Sequence, residues 1–263
     1  TIKTIKMKLD ENEQKLMRQV CRLRDEGVFE DLIDGKIEGE GLQVGVESHG
    51  EIEEENKNNF DEYYSSITAT SSETLKTQLN QLMEETHTTI ISYGDARYKF
   101  ILTDPADDNG NIILFYSRQI VSGEWDSGVT YNREHVWPKS LSNELYPETS
   151  NSYKGPGSDM HMLRPESQSK NSSRGNKTFG TGSDQFEPID EVKGDVARIL
   201  FYMSVHYELD IEECKVADSI AMLLEWNKLD PVDDAEKARN NAVQEIQGNR
   251  NPFIDYPEFA EEI

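Results

Sequence analysis

Cysteine is almost missing. Only Cys21 and Cys214 occur among 263 residues, too few for a disulfide scaffold or, alone, for a zinc site. No apolar run approaches the roughly eighteen residues that a membrane helix needs, and the opening TIKTIKMKLDENEQ lacks the apolar core of a signal peptide. A membrane span is therefore excluded from the reading, while a start on Thr1 leaves the compartment open. Positive charge is also scarce. Against 51 Asp and Glu stand 27 Lys and Arg, a net charge of −24 that on average repels nucleic acid.

The deficit is uneven. Residues 131–180 carry 7 basic and 5 acidic groups and form the only net-positive stretch, whereas 181–263 carry 7 and 20. A cationic face on an acidic body can hold a polyanion, with salt sensitivity, above all when a divalent cation joins it. Apolar residues make up 35% of the chain, enough for a real core.

Residues 1–57 look unlike the rest. Leu16, Met17, Val20, Cys21 and Leu23 fall near one helical face that Gly27 ends, LQVGVES alternates like a strand, and GEIEEENKNN reads as an acidic linker. Beyond it, Ser71 or Ser72 caps a helix with Leu75, Leu79, Leu82 and Met83 on one stripe, ending near Thr88. NIILFY, Asn111 to Tyr116, is expected as a buried strand after the turn PADDNGN, whose Asp104, Asp107 and Asp108 lack the closing Glu of a calcium loop. A strand over Tyr131 to Trp137 should break at Pro138, and a second over Met160 to Leu163 should stop before Pro165. A helix opens near Asn171, an amphipathic helix is expected over Glu191 to Tyr207, and another over about Cys214 to Asn227. The tail after it reads as a strap packed on the core.

The chemistry-bearing residues run in the order strand, loop, strand, helix: Glu134 and His135, then Asp159 and His161, then Asn171, Arg174 and Asn176. Phosphodiester hydrolysis needs an in-line water, a base to deprotonate it and positive charge at the phosphate oxygens. An imidazole supplies the base, and a carboxylate with an amide oxygen suits Mg²⁺. Adjacent strand residues point to opposite faces, so Glu134 and His135 serve one site only if the strand bends or ends there.

The motifs NREHVWPKS, SDMHMLRP and NSSRGN, with IILFYS upstream and GDVARILFYMSVHY and QGNRNPFIDYPEF downstream, resemble the bacterial endonuclease I family. The resemblance covers roughly residues 58–258 and implies an α+β fold in which a ββα-metal finger, related to the HNH nucleases, is embedded in a mixed, largely helical domain. It implies a largely sequence-nonspecific endonuclease acting on DNA and often RNA, leaving 5′-phosphate ends. His135 then matches the general base, Glu134 and Asn171 the ligands of Mg²⁺ or a similar ion such as Mn²⁺ or Ca²⁺, and Asn176 the alternative ligand. Arg174 and Arg164 match basic motifs expected to contact phosphate, and His161 a family histidine near the site. Met162 departs from the family pattern and cannot orient an imidazole, so support for His135 is expected from a backbone carbonyl or another residue. The cysteine-poor composition is closer to the Gram-positive type, and the family resemblance together with the missing initial Met favours secretion or the cell surface over the cytoplasm. The rival readings are a noncatalytic nucleic-acid or protein-binding module, and a guided nuclease whose residues 1–57 dock a protein partner. His49, His87 and His206 adjoin no other ligand and read as structural or surface residues. Arg198 is expected to hold a buried carboxylate, and Arg250, Trp137 and Trp226 to be structural.

Overall fold

The computed structural model describes residues 62–146 and 149–263. The helix expected over 11–24, the LQVGVES strand, the linker and His49 lie outside the described residues.

The α+β unit over Phe60–Ile263 begins with α1, Ser72–Thr86, whose cap is Ser71: its side chain accepts from the Thr74 amide, and the four predicted apolar residues are buried. Two antiparallel ribbons follow. In the first, β1 (Asn111–Ile113) pairs with β2 (Ile120–Ser122). NIILFY is thus only half a strand. The backbone turns at Leu114, whose carbonyl accepts from the Arg118 amide at 3.0 Å, while Leu114, Phe115 and Tyr116 stay buried as core.

The second ribbon pairs β3 (Asn132–His135) with β4 (Leu163–Glu166), His135 opposite Leu163 and Asn132 opposite Glu166. The expected strand over Met160 to Leu163 is therefore displaced toward the C-terminus, and Pro165 lies inside it. A two-stranded ribbon has an outer edge on each strand, so a residue without an N–H is tolerated there. α2 (Gln168–Arg174) follows directly, capped by Ser167 and not by Asn171, which sits in its second turn; Gly175 at φ 55° ends it.

Helix α3, Lys193–His206, was expected to be amphipathic but is buried at all its residues, with α1 and α4 (Ile220–Leu229, capped by Ser219) packed against it. Cys214 precedes α4 as a free, buried thiol packed in the core. The tail is more than a strap: Asp233 caps α5, Asp234–Gln247, which buries Arg239, Asn240, Val243 and Gln247. Charge inside this core is paired. Arg198 grips both Glu236 carboxylate oxygens and also donates to Asn227 Oδ1 and the Asp230 carbonyl, each at 2.9 Å. Arg250 bridges to Asp255 at 2.7 Å, and Trp137 and Trp226 are buried.

Candidate active site

β3 ends where the chain must turn at Pro138, so its last two residues face different surroundings. His135 is half-buried; two tyrosine rings lie near-parallel to it, Tyr93 at 5.2 Å and Tyr146 at 5.7 Å between centroids. Its Nε2 lies 2.9 Å from the Gly157 carbonyl. A carbonyl only accepts, so Nε2 carries the proton and Nδ1 keeps the lone pair. Burial pushes the ring pKa down to about 4, so the imidazole is neutral at pH 7. The backbone carbonyl expected to substitute for Met162 is thus that of Gly157. Met162 itself is buried in the core.

Glu134 faces inward. Its Oε1 accepts from the Tyr116 hydroxyl at 2.9 Å and lies 3.4 Å from Arg174 Nε, while Oε2 has no partner among the described residues. Burial raises the carboxyl to about 7 against the pull of Arg174. Asn171, three residues before Arg174, shares a helical face with it, is half-buried, and has no side-chain hydrogen bond among the described residues. A desolvated carboxylate with one unclaimed oxygen and an unclaimed amide on the helix that also carries Arg174 have the chemistry of donors for a hard divalent cation. Asn176 is exposed and lies beyond the helix end.

The two arginines expected at phosphate are instead buried. Arg174 donates to the Val136 carbonyl at 2.7 Å and the Gly175 carbonyl at 2.8 Å, clamping α2 onto the end of β3. Arg164 sits between Asp104 at 3.2 Å and Asp195 at 3.5 Å. Each guanidinium faces protein oxygens and is shielded from solvent, so both arginines hold the site's framework. Asp104 is shared with Arg239, whereas Asp107 turns its own loop by accepting from the Asn109 and Asn111 amides.

His161 is buried as well, its Nε2 3.1 Å from the Asn249 carbonyl, and belongs to a second polar cluster that the spacing of residues did not reveal. At its centre Asp159 accepts from the Tyr202 and Tyr207 hydroxyls on Oδ2, and from the His161 amide and Gln247 Nε2 on Oδ1. His87 Nδ1 and His206 Nε2 meet at 3.1 Å, and ligand atoms of His87, Asp159 and His206 lie within 4.8 Å of one another. These are two nitrogens and a carboxylate whose four acceptor positions are already taken, a poorer match to Mg²⁺ than the Glu134 side. His87 and His206, read as isolated, are in fact partners.

Burial alone would raise the Asp159 carboxyl, but the three imidazoles and the Tyr202 hydrogen bond outweigh it and hold it below the ordinary range. Burial lowers His161 to about 3 and His206 to about 4, and the Nδ1 of each is buried without a partner. Their unfolded value is about 6.5, so acid protonates the unfolded chain first and stability falls from about pH 6.5 toward pH 4. Each histidine should cost about 1.4 kcal/mol per pH unit in that window. Urea midpoints that stay level between pH 7.5 and pH 5 would contradict the neutral burial of this cluster.

Residues 71–185 and 181–258 match the family model described as Endonuclease I. The extracellular ribonuclease of Bacillus subtilis (strain 168) is 39% identical, covering 77% of this chain and 78% of that protein. The extracellular ribonuclease of Bacillus amyloliquefaciens is 39% identical over 76% and 77%. An extracellular deoxyribonuclease of Aeromonas hydrophila is 35% identical over a shorter stretch, 26% of this chain and 28% of that protein. These comparisons put the chain among the hydrolytic nucleases. More narrowly, it belongs to the endonuclease I family.

Proposed function

We propose that the chain is an endonuclease that hydrolyses phosphodiester bonds of RNA and DNA with little sequence preference, leaving 5′-phosphate ends, with β3, β4 and α2 acting as a ββα-metal finger. The observation that carries this reading is the single hydrogen bond from His135 Nε2–H to the Gly157 carbonyl. It leaves Nδ1 as a lone pair on a half-buried ring, oriented without any carboxylate. Such a nitrogen takes a proton from water, and an incoming phosphodiester raises its basicity from the low resting value. Tyr93 and Tyr146 fix the ring plane. Glu134 and Asn171 would hold one Mg²⁺ or similar ion, which supplies positive charge to the phosphate oxygens when bound. Arg174 positions Glu134 and ties α2 to the end of β3. The names of the relatives, ribonuclease and deoxyribonuclease, support a substrate range covering both polymers, and their extracellular description supports secretion. Residues 1–57 are read as an appended acidic module. Among the described residues no helix is long and apolar enough to cross a membrane.

Supercoiled plasmid and an unstructured RNA, each incubated with Mg²⁺ and with or without EDTA, test the activity. Cutting that EDTA abolishes is the expected result, and intact substrates under all conditions refute the reading. Glu134→Gln should raise the Mg²⁺ concentration for half-maximal rate at least about tenfold, because a neutral amide is a weaker ligand for a hard cation. A superimposable Mg²⁺ curve would remove Glu134 from the ligand set.

A further inference from the structure

His135 stands at one end of a row of rings and cations that hydrolysis itself does not use. Its neighbour Tyr93 carries the Arg133 guanidinium 3.7 Å above its centroid. Arg133 also lies 5.5 Å from the Trp125 ring, Arg97 lies 5.2 Å from the same ring, and Arg97 ends 4.8 Å from the Tyr98 ring. Tyr98 is 53% exposed, and Arg97, Trp125 and Arg133 are half-buried, so the row opens to solvent away from the histidine.

The two arginines of this row form no ion pair among the described residues. Arg164, Arg174, Arg198, Arg239 and Arg250 each have a carboxylate partner. Among the described residues Arg97 and Arg133 have none: both Nη1 atoms reach the neutral Asn151 Oδ1 at 3.4 Å, and Arg133 also donates to the Tyr93 carbonyl. Arg97 Nε is buried with no hydrogen-bond partner. Asp126, at the next turn, makes its hydrogen bonds to Val129 and Thr130 and not to either guanidinium. In a chain of net charge −24, two guanidinium groups held on aromatic platforms beside the hydrolytic histidine are placed for an anionic, ring-bearing ligand.

The geometry points to Tyr98, Arg97, Trp125 and Arg133 as a binding track for single-stranded polynucleotide, leading the strand to His135. This inference rests on the nuclease reading and names the form of substrate that the site prefers. The guanidinium groups take backbone phosphates, the exposed Tyr98 ring takes an unstacked base, and Trp125 holds both guanidinium groups in the track. A duplex keeps its bases stacked inside and gains nothing from the Tyr98 ring, whereas each base stacked on an aromatic ring contributes about 1–3 kcal/mol.

The test uses the full chain carrying His135→Ala, so that substrate survives, and follows fluorescence anisotropy of a short labelled unstructured RNA and of a duplex of the same length. Expected are tighter binding of the single strand, and a loss of about five- to hundredfold on Tyr98→Ala or Trp125→Ala with duplex binding unchanged. Arg97→Gln should reduce the salt dependence of single-strand binding by about one phosphate contact. Tyr98→Ala alters an exposed side chain, so its result stands even if Trp125→Ala disturbs packing on Tyr131. Equal binding by Tyr98→Ala and its parent overturns the track. A loss shared equally by single strand and duplex overturns the strand preference. Should the unaltered chain cut no nucleic acid while the single strand still binds through these residues, the nuclease reading fails and the track stands.

Discussion

His135→Ala is expected to lower the rate of RNA and plasmid cleavage by about 10² to 10⁴-fold, the range that a positioned general base contributes. The ring offers a single unprotonated nitrogen, because Nε2 is committed to the Gly157 carbonyl. Alanine removes that lone pair and cannot be compensated by Glu134, which points inward toward Tyr116 and Arg174. Neither should it unfold the chain: the ring is half-buried and gives up a single hydrogen bond, to the Gly157 carbonyl. The measurement is single-turnover cleavage at saturating Mg²⁺, with thermal unfolding recorded alongside. A variant with its Tm intact and its rate within about threefold of the parent would dismiss His135 as the base.

The largest loss of stability is expected at Arg198→Met. Its guanidinium is fully buried and serves Glu236, Asn227 and the Asp230 carbonyl at once. Methionine fills similar volume but strands a buried carboxylate, the buried Asn227 oxygen and the partly buried Asp230 carbonyl, and breaking such a pair costs about 3–5 kcal/mol. That is a large part of the 5–15 kcal/mol typical of a domain. Burial and the neighbouring Asp195 charge already push the Glu236 carboxyl upward, so the variant escapes part of the cost by taking up a proton, and its deficit should deepen as pH rises. The double variant Arg198→Met, Glu236→Leu removes the stranded charge and should recover much of the loss. Urea unfolding of both variants decides the matter: a cost below about 1 kcal/mol for the single change, or no recovery in the double, would contradict the burial of an obligate pair.

What the sequence made legible was whatever local chemistry dictates. The stripe Leu75, Leu79, Leu82 and Met83 with Ser71 before it defines α1, and Pro138 places the end of β3 beside His135. The rest depended on long-range partners. β4 lies farther along than expected because Pro165 was taken as a stop, although a narrow ribbon accommodates it. α5 was hidden by its own composition: it buries Arg239, Asn240 and Gln247, which apolar periodicity does not count. Arg164 and Arg174 looked like phosphate ligands because a basic motif does not disclose that Asp104 and Glu134 are waiting inside. Nor does any spacing announce that Tyr116 reaches Glu134, or that His87 and His206 meet across 119 positions.

The group that holds the His135 ring belongs to the main chain, and this shifts where heredity can injure the enzyme. No codon change at position 157 deletes a carbonyl, so the proton on Nε2 survives substitutions that would disable a catalytic aspartate. The weak point becomes the missing side chain at that position: a methyl group on Gly157 would come within 2.9 Å of the Tyr146 ring, itself stacked on His135. A single methyl there would push the peptide and the aromatic wall apart, and misalign an imidazole that it never touches.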